Sequence, residues 1–146
     1  MSKARILLAH GNSDCQTIYG SALRYEGYDV DIVSDVESAL AWLDFQSWDL
    51  VIADLYLPSV ADECLLRRMR HEPSAAHVPV IVLTGWSTEA HRRVAMDEEA
   101  DDFLPLPTRP RDLVAAVAAI LGERPRHHAR ASDPFEKNDR PIANGL

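Results

Sequence analysis

The sequence predicts an α/β fold, a doubly wound five-stranded parallel sheet with helices on both faces. Four runs rich in Val, Ile and Leu recur along the chain at Ile6 to Ala9, Val30 to Val33, Leu50 to Ala53 and Val78 to Leu83, and a weaker fifth lies at Phe103 to Leu106. These runs are apolar throughout rather than at alternate positions, as strands are when both faces of their sheet are covered. The segments between them are long enough to hold a helix, the connection that parallel strands need.

Each helix carries conventional punctuation. Asp14 precedes a first helix over Gln16 to Tyr25, which Gly27 closes, and Ser34 or Asp35 can cap a second over Val36 to Phe45. Ala61 to His71 and Thr88 to Glu99 supply the third and fourth. Pro110 opens a fifth, Arg111 to Leu121, and Gly122 ends it. In that last helix Leu113, Val117 and Ile120 form a core stripe, while Ala115, Ala116, Ala118 and Ala119 leave the remainder smooth. There is no internal repeat.

Length and composition fit one domain over residues 1–122 with a tail over residues 123–146. A chain of 146 residues with 47% hydrophobic content can build a single core. The tail has three prolines, scattered charge and almost no apolar periodicity, so it is expected to be flexible. The net charge of −8 is concentrated in the globular part, where nineteen acidic residues face ten basic ones, while the tail holds four acidic and five basic residues. No basic stripe precedes Arg124, which argues against direct nucleic-acid binding. Neither a membrane span nor a signal peptide is visible, and the expected location is the cytoplasm. Cys15 and Cys64 show no metal or redox spacing.

In an open parallel sheet the functional site lies at the carboxyl ends of the strands. That rule selects His10-Gly11-Asn12-Ser13-Asp14 after the first strand, Asp54 after the third, Thr84-Gly85-Trp86 after the fourth and Leu106-Pro107 after the fifth. The strongest signal is Asp49 to Pro58, where a buried strand delivers a lone carboxylate, Asp54, to the sheet edge and a proline soon turns the chain.

With these residues, and with Ala100-Asp101-Asp102-Phe103-Leu104 leading into the fifth strand, Ala4 to Leu121 resembles the receiver domains of bacterial response regulators. The resemblance implies the flavodoxin-like strand order 2-1-3-4-5. It implies a phosphoacceptor at Asp54, switch positions at Thr84 and Phe103, and a cis peptide at Leu106-Pro107. It also exposes two departures. The family's adjacent acidic pair, which helps to hold Mg²⁺, is replaced by His10 and Gly11, and the family's lysine before the proline is replaced by Leu106.

Mg²⁺ is a hard cation that wants oxygen ligands, and neither imidazole nor glycine offers a negative oxygen. At about 4 Å and an effective dielectric of about 20, each lost charge pair is worth roughly 4 kcal/mol per unit charge on the ion before desolvation. Mg²⁺ binding is therefore expected to be weak or absent, and no metal or cofactor is assigned. Arg109 or Arg111 on the fifth helix is a poor substitute for a lysine aimed from the strand end. A cationic His10 beside Asp54 would fill the metal's place with an ion pair, and structural pairing is preferred to a transition-metal site.

The first functional reading is a non-enzymatic, atypical receiver that acts in two-component signalling through protein contacts, without conventional phosphorylation. The face made by the fourth helix, fifth strand and fifth helix, carrying Arg92, Arg93, Asp97, Glu98 and Glu99, suits a homodimer. Two rivals remain open. One is a working phosphoacceptor or phosphorelay receiver phosphorylated at Asp54. The other is a flavodoxin-like small-molecule binder whose Gly11-Asn12-Ser13 loop and Thr17 cradle a phosphate.

Overall fold

The structure, a computed structural model, describes residues 3–123. Five parallel strands, β1 (Arg5–Ala9), β2 (Asp29–Val33), β3 (Leu50–Ala53), β4 (Val80–Thr84) and β5 (Asp102–Pro105), lie in the order β2-β1-β3-β4-β5. They alternate with α1 (Ser13–Tyr25), α2 (Val36–Phe45), α3 (Leu65–Arg70), α4 (Glu89–Asp97) and α5 (Pro110–Leu121). This is the architecture and strand order that the sequence and the resemblance imply. The expected tail lies outside the described residues beyond Glu123.

Strand periodicity divides the core in two. Ile6, Leu8, Leu50, Ile52, Ile81 and Leu83 pack with Tyr19 and Leu23 of α1 and Leu113, Val114 and Val117 of α5. Leu7, Ala9, Val51, Ala53, Val80, Val82 and Phe103 pack on the other face with Val36, Ala39, Leu43, Leu65, Met69 and Ala95. Burying each large aliphatic side chain contributes about 1.5–3 kcal/mol. Both faces of β3 and β4 are covered, which is why Leu50–Ala53 and Val80–Thr84 read as unbroken apolar runs.

Several local expectations are corrected. The first helix begins at Ser13, and its cap is Asn12, whose side chain accepts the Cys15 N–H at 2.9 Å; Asp14 is a first-turn residue. The expected helix over Ala61 to His71 shrinks to Leu65–Arg70 because Glu37 of α2 captures the preceding loop. Its carboxylate accepts from the Ser59 hydroxyl at 2.8 Å and from the Val60 and Ala61 N–H groups at 3.1 and 3.4 Å. Asp62 then takes a left-handed φ of 57°, which a helix cannot continue.

The fourth strand starts at Val80 rather than Val78, following Pro79, whose carbonyl accepts from Val51 N–H at 3.0 Å. The fifth strand runs Asp102–Pro105, so Leu106 lies one residue past its end. In α5, Ala118 is part of the core rather than of a smooth outer face, and Ile120 is half-buried. Other caps match their sequence signals. Asp35 accepts the Ser38 N–H at 2.7 Å, Pro110 opens α5, and Gly122 closes it at φ 70°.

Candidate functional site

The carboxyl ends of β1, β3 and β4 bring Asp54, Thr84 and His10 together. Thr84 is fully buried, and its hydroxyl donates to Asp54 Oδ1 at 2.6 Å while accepting the Trp86 backbone N–H at 3.1 Å. Both hydrogen-bonding capacities of the hydroxyl are thus engaged with named partners. The Asp54 side chain is 18% exposed. Backbone bonds from Asp54 N–H to Ala9 carbonyl and from His10 N–H to Val33 carbonyl, both 3.0 Å, extend the ladder into the site and fix these residues in register.

His10 lies within ion-pair distance of Asp54, Nε2 to Oδ2 at 3.7 Å, but its closer partners are backbone groups. Its ring, 2% exposed, reaches across the end of β3, with Nε2 at 3.2 Å from the Leu83 carbonyl of β4 and Nδ1 at 3.2 Å from the Asn12 N–H. A carbonyl can only accept and an amide N–H can only donate, so the pairing requires a neutral ring with its proton on Nε2. An imidazolium would set one N–H against another. Asp54 Oδ2 lies 3.7 Å from Nε2, beyond hydrogen-bond range, and the ring's donor is already directed at Leu83. Among the described residues the side-chain hydrogen-bonding partner of Asp54 is therefore Thr84 rather than His10.

Gly11 faces Pro58 closely: a Cβ at this position would meet Pro58 Cδ at 3.3 Å. The loop after β3 thus stands where a side chain at position 11 would project. Leu106 packs partly buried against the α1–α5 core, its N–H donating to the Thr84 carbonyl at 2.8 Å. The Leu106–Pro107 peptide bond is cis. Arg109 turns to Asp112 on its own helix at 3.2 Å, and neither Arg109 nor Arg111 forms an ion pair with Asp54. Asp14 is exposed on α1. Burial first, and then the Asp54 and Asp14 carboxylates, push the Cys15 thiol above its ordinary value.

These donors do not suit Mg²⁺. They comprise one carboxylate whose Oδ1 already accepts a hydroxyl, and one imidazole whose two nitrogens are committed to backbone groups. No group of three or more His, Cys, Asp and Glu side chains able to hold a metal occurs among the described residues.

Phe103 is buried in the core, with the Arg92 guanidinium 5.8 Å from its ring centroid. On the α4 surface Glu98 is held by Arg67 of α3 at 2.8 Å, and Arg93 lies 3.8 Å from Glu89, so part of the mixed charge there is satisfied within the molecule. Sequence reasoning missed an aromatic cluster at the rim of the site. Tyr56 and Trp86 meet edge to face at 5.4 Å, and His91 lies 5.6 Å from both. Tyr56 and Trp86 each follow a site residue by two positions, and that placement was the available signal.

Among the described residues no helix is long and apolar enough to cross a membrane. Comparison with known proteins agrees with the fold. The response regulator receiver domain matches residues 6–118. The chain is 35% identical over 117 residues to the transcriptional regulatory protein CpxR of Klebsiella pneumoniae, covering 80% of this chain and 49% of that protein. It is 31% identical over 132 residues to the transcriptional regulatory protein TrcR of Mycobacterium tuberculosis, covering 90% of this chain and 50% of that one. The chain thus spans about half the length of these curated relatives. A crystal structure of the receiver domain of the sensor histidine kinase PA1611 from Pseudomonas aeruginosa, described with magnesium coordinated in its active-site cleft, superposes with a TM-score of 0.75 at 28% identity, over 84% of this chain and all of that one. With its sheet order, its strand-end aspartate and this match over most of its length, the chain belongs to the response regulator receiver domain family of two-component signal transduction.

Proposed function

We propose that this receiver is atypical: a non-enzymatic signalling module that works through protein contacts and is uncoupled from Mg²⁺-dependent phosphorylation. The observation that carries the reading is the buried His10. It occupies one of the two positions where the family places acidic residues, with both ring nitrogens spent on backbone groups. Phosphoryl transfer to a carboxylate depends on positioning and on neutralising the charge of the transferring group. The positions that carry charge in the family hold an imidazole bonded to backbone groups, a glycine set against Pro58 and a Leu106 packed on the α1–α5 core. Switch motion at Thr84 and Phe103 would then follow partner binding rather than a phosphoryl group. Homodimerisation through α4, β5 and α5, a cytoplasmic location and a separate tail from Glu123 belong to the same proposal.

Trp86 is half exposed at the rim and reports on the site. Its fluorescence, titrated with Mg²⁺ and then with beryllofluoride, is expected to stay flat. A saturable Mg²⁺ response that disappears in Asp54→Asn overturns the reading and makes the protein a phosphoacceptor with unconventional metal ligands.

A further inference from the structure

We infer that the Asp54 edge is a receptor for an arginine side chain presented by a partner protein. The inference rests on the uncoupled-receiver reading, because a working phosphoacceptor would need Asp54 for the phosphoryl group.

Three observations converge on this chemistry. Among the described residues Asp54 Oδ1 accepts only the Thr84 hydroxyl, Oδ2 has no hydrogen-bond donor within range, no lysine or arginine pairs with it, and His10 stands 3.7 Å away with its Nε2 on the Leu83 carbonyl. A carboxylate that is largely withdrawn from water yet still reachable favours a charge-assisted partner more strongly than one fully in solvent. Trp86 and Tyr56, two positions after Thr84 and Asp54, are 53% and 50% exposed, and the Trp86 backbone N–H is joined to Asp54 through the Thr84 hydroxyl by two successive hydrogen bonds.

The third observation is the packing of the aromatic rings. The three mutual edge-to-face contacts among Tyr56, Trp86 and His91 cover at most three of their six ring faces, leaving electron-rich faces at the rim. A carboxylate with aromatic rings at the rim of its site fits a guanidinium better than an ammonium, because guanidinium is planar, weakly hydrated and able to stack while it donates. The acidic surface of the domain, nineteen acidic to ten basic residues up to Gly122, draws such a segment in.

The test follows the backbone and indole signals of the isotope-labelled full chain by NMR during titration with N-acetyl-arginine amide, and separately with its uncharged isostere N-acetyl-citrulline amide. Saturable shifts confined to Asp54, Tyr56, Thr84, Trp86 and His91 are expected. Binding should weaken about tenfold for citrulline and for Asp54→Asn, and about threefold for Trp86→Ala, an exposed position. Equal binding of citrulline, an unchanged Asp54→Asn response or shifts scattered over the acidic surface overturns the inference. So does a set of site signals that already sit at their bound positions and revert when residues 124–146 are removed or the protein is diluted, which assigns the site to the chain's own arginines. Intact mass after acetyl phosphate and Mg²⁺ is read on the same samples. A phosphoryl group on Asp54 overturns the underlying reading, whereas loss of arginine selectivity without one overturns this inference alone.

Discussion

The two halves of the strand-end site differ in where their side chains point. In the β3–β4 half, Asp54 and Thr84 keep a polar pair at the edge, joined at 2.6 Å. In the half built by the ends of β1 and β5, the side chains have been drawn into the protein. His10 is buried with both nitrogens bonded to backbone, and Leu106 packs against the α1–α5 core. His10 is thus held by backbone groups, and among the described residues no lysine or arginine pairs with Asp54. One half should accordingly matter to stability and the other to recognition; three changes test that division, and a fourth, at Glu37, lies outside the site.

The largest effect is expected for His10→Ala. It removes a packed ring and strands the Leu83 carbonyl and the Asn12 N–H, a combined loss of about 2–4 kcal/mol in urea unfolding. A loss below about 1 kcal/mol would mean that the ring is not a structural strut. Leu106→Lys gives up partial packing but lets a long stem carry its ammonium outward, so a cost of about 1 kcal/mol is expected in thermal unfolding. Because that lysine supplies Asp54 with a cation in cis, arginine binding should fall with it.

Asp54→Asn keeps an oxygen that accepts from Thr84 and removes a carboxylate that no described lysine or arginine pairs with, so stability should stay within about 1 kcal/mol of the parent. A large loss would place Asp54 among the structural residues and erase the contrast between the halves. The smallest effect is expected at Glu37. Hydrogen bonds from the Ser59 hydroxyl and then the Val60 and Ala61 N–H groups hold its carboxyl below the ordinary 4.5. A carboxyl lowered on folding contributes stability that is present above its unfolded value and lost as pH falls through its folded one. The stability difference between the parent and Glu37→Gln should thus be constant near neutrality and shrink below about pH 4.5. A difference that persists unchanged in acid would assign the effect to something other than the carboxylate.

What the sequence made legible follows from how local each signal is. Apolar runs such as Leu50 to Ala53, the Asp35 cap, and the Pro110 and Gly122 punctuation depend on neighbouring residues, and each appears in the fold where it was read. The third helix was overestimated because the group that unwinds its start, Glu37, lies more than twenty residues earlier. Placing Asp54 and Thr84 at one edge needed only the strand-end rule. The state of His10 was not legible in the same way. Next to an aspartate in a family template it reads as a cation, whereas its true partners, Leu83 and Asn12, are backbone groups that no residue-type pattern reveals. The Tyr56–Trp86–His91 cluster was missed for a related reason, since its members come from two loops and a helix and meet only in space.

The central claim is that the Asp54 edge lacks the charge needed to accept a phosphoryl group. Intact-mass spectrometry of the full chain incubated with acetyl phosphate, with and without Mg²⁺, tests it most directly. An unchanged mass in both conditions is the predicted result. A Mg²⁺-dependent gain of one phosphoryl group that is absent from Asp54→Asn would contradict it.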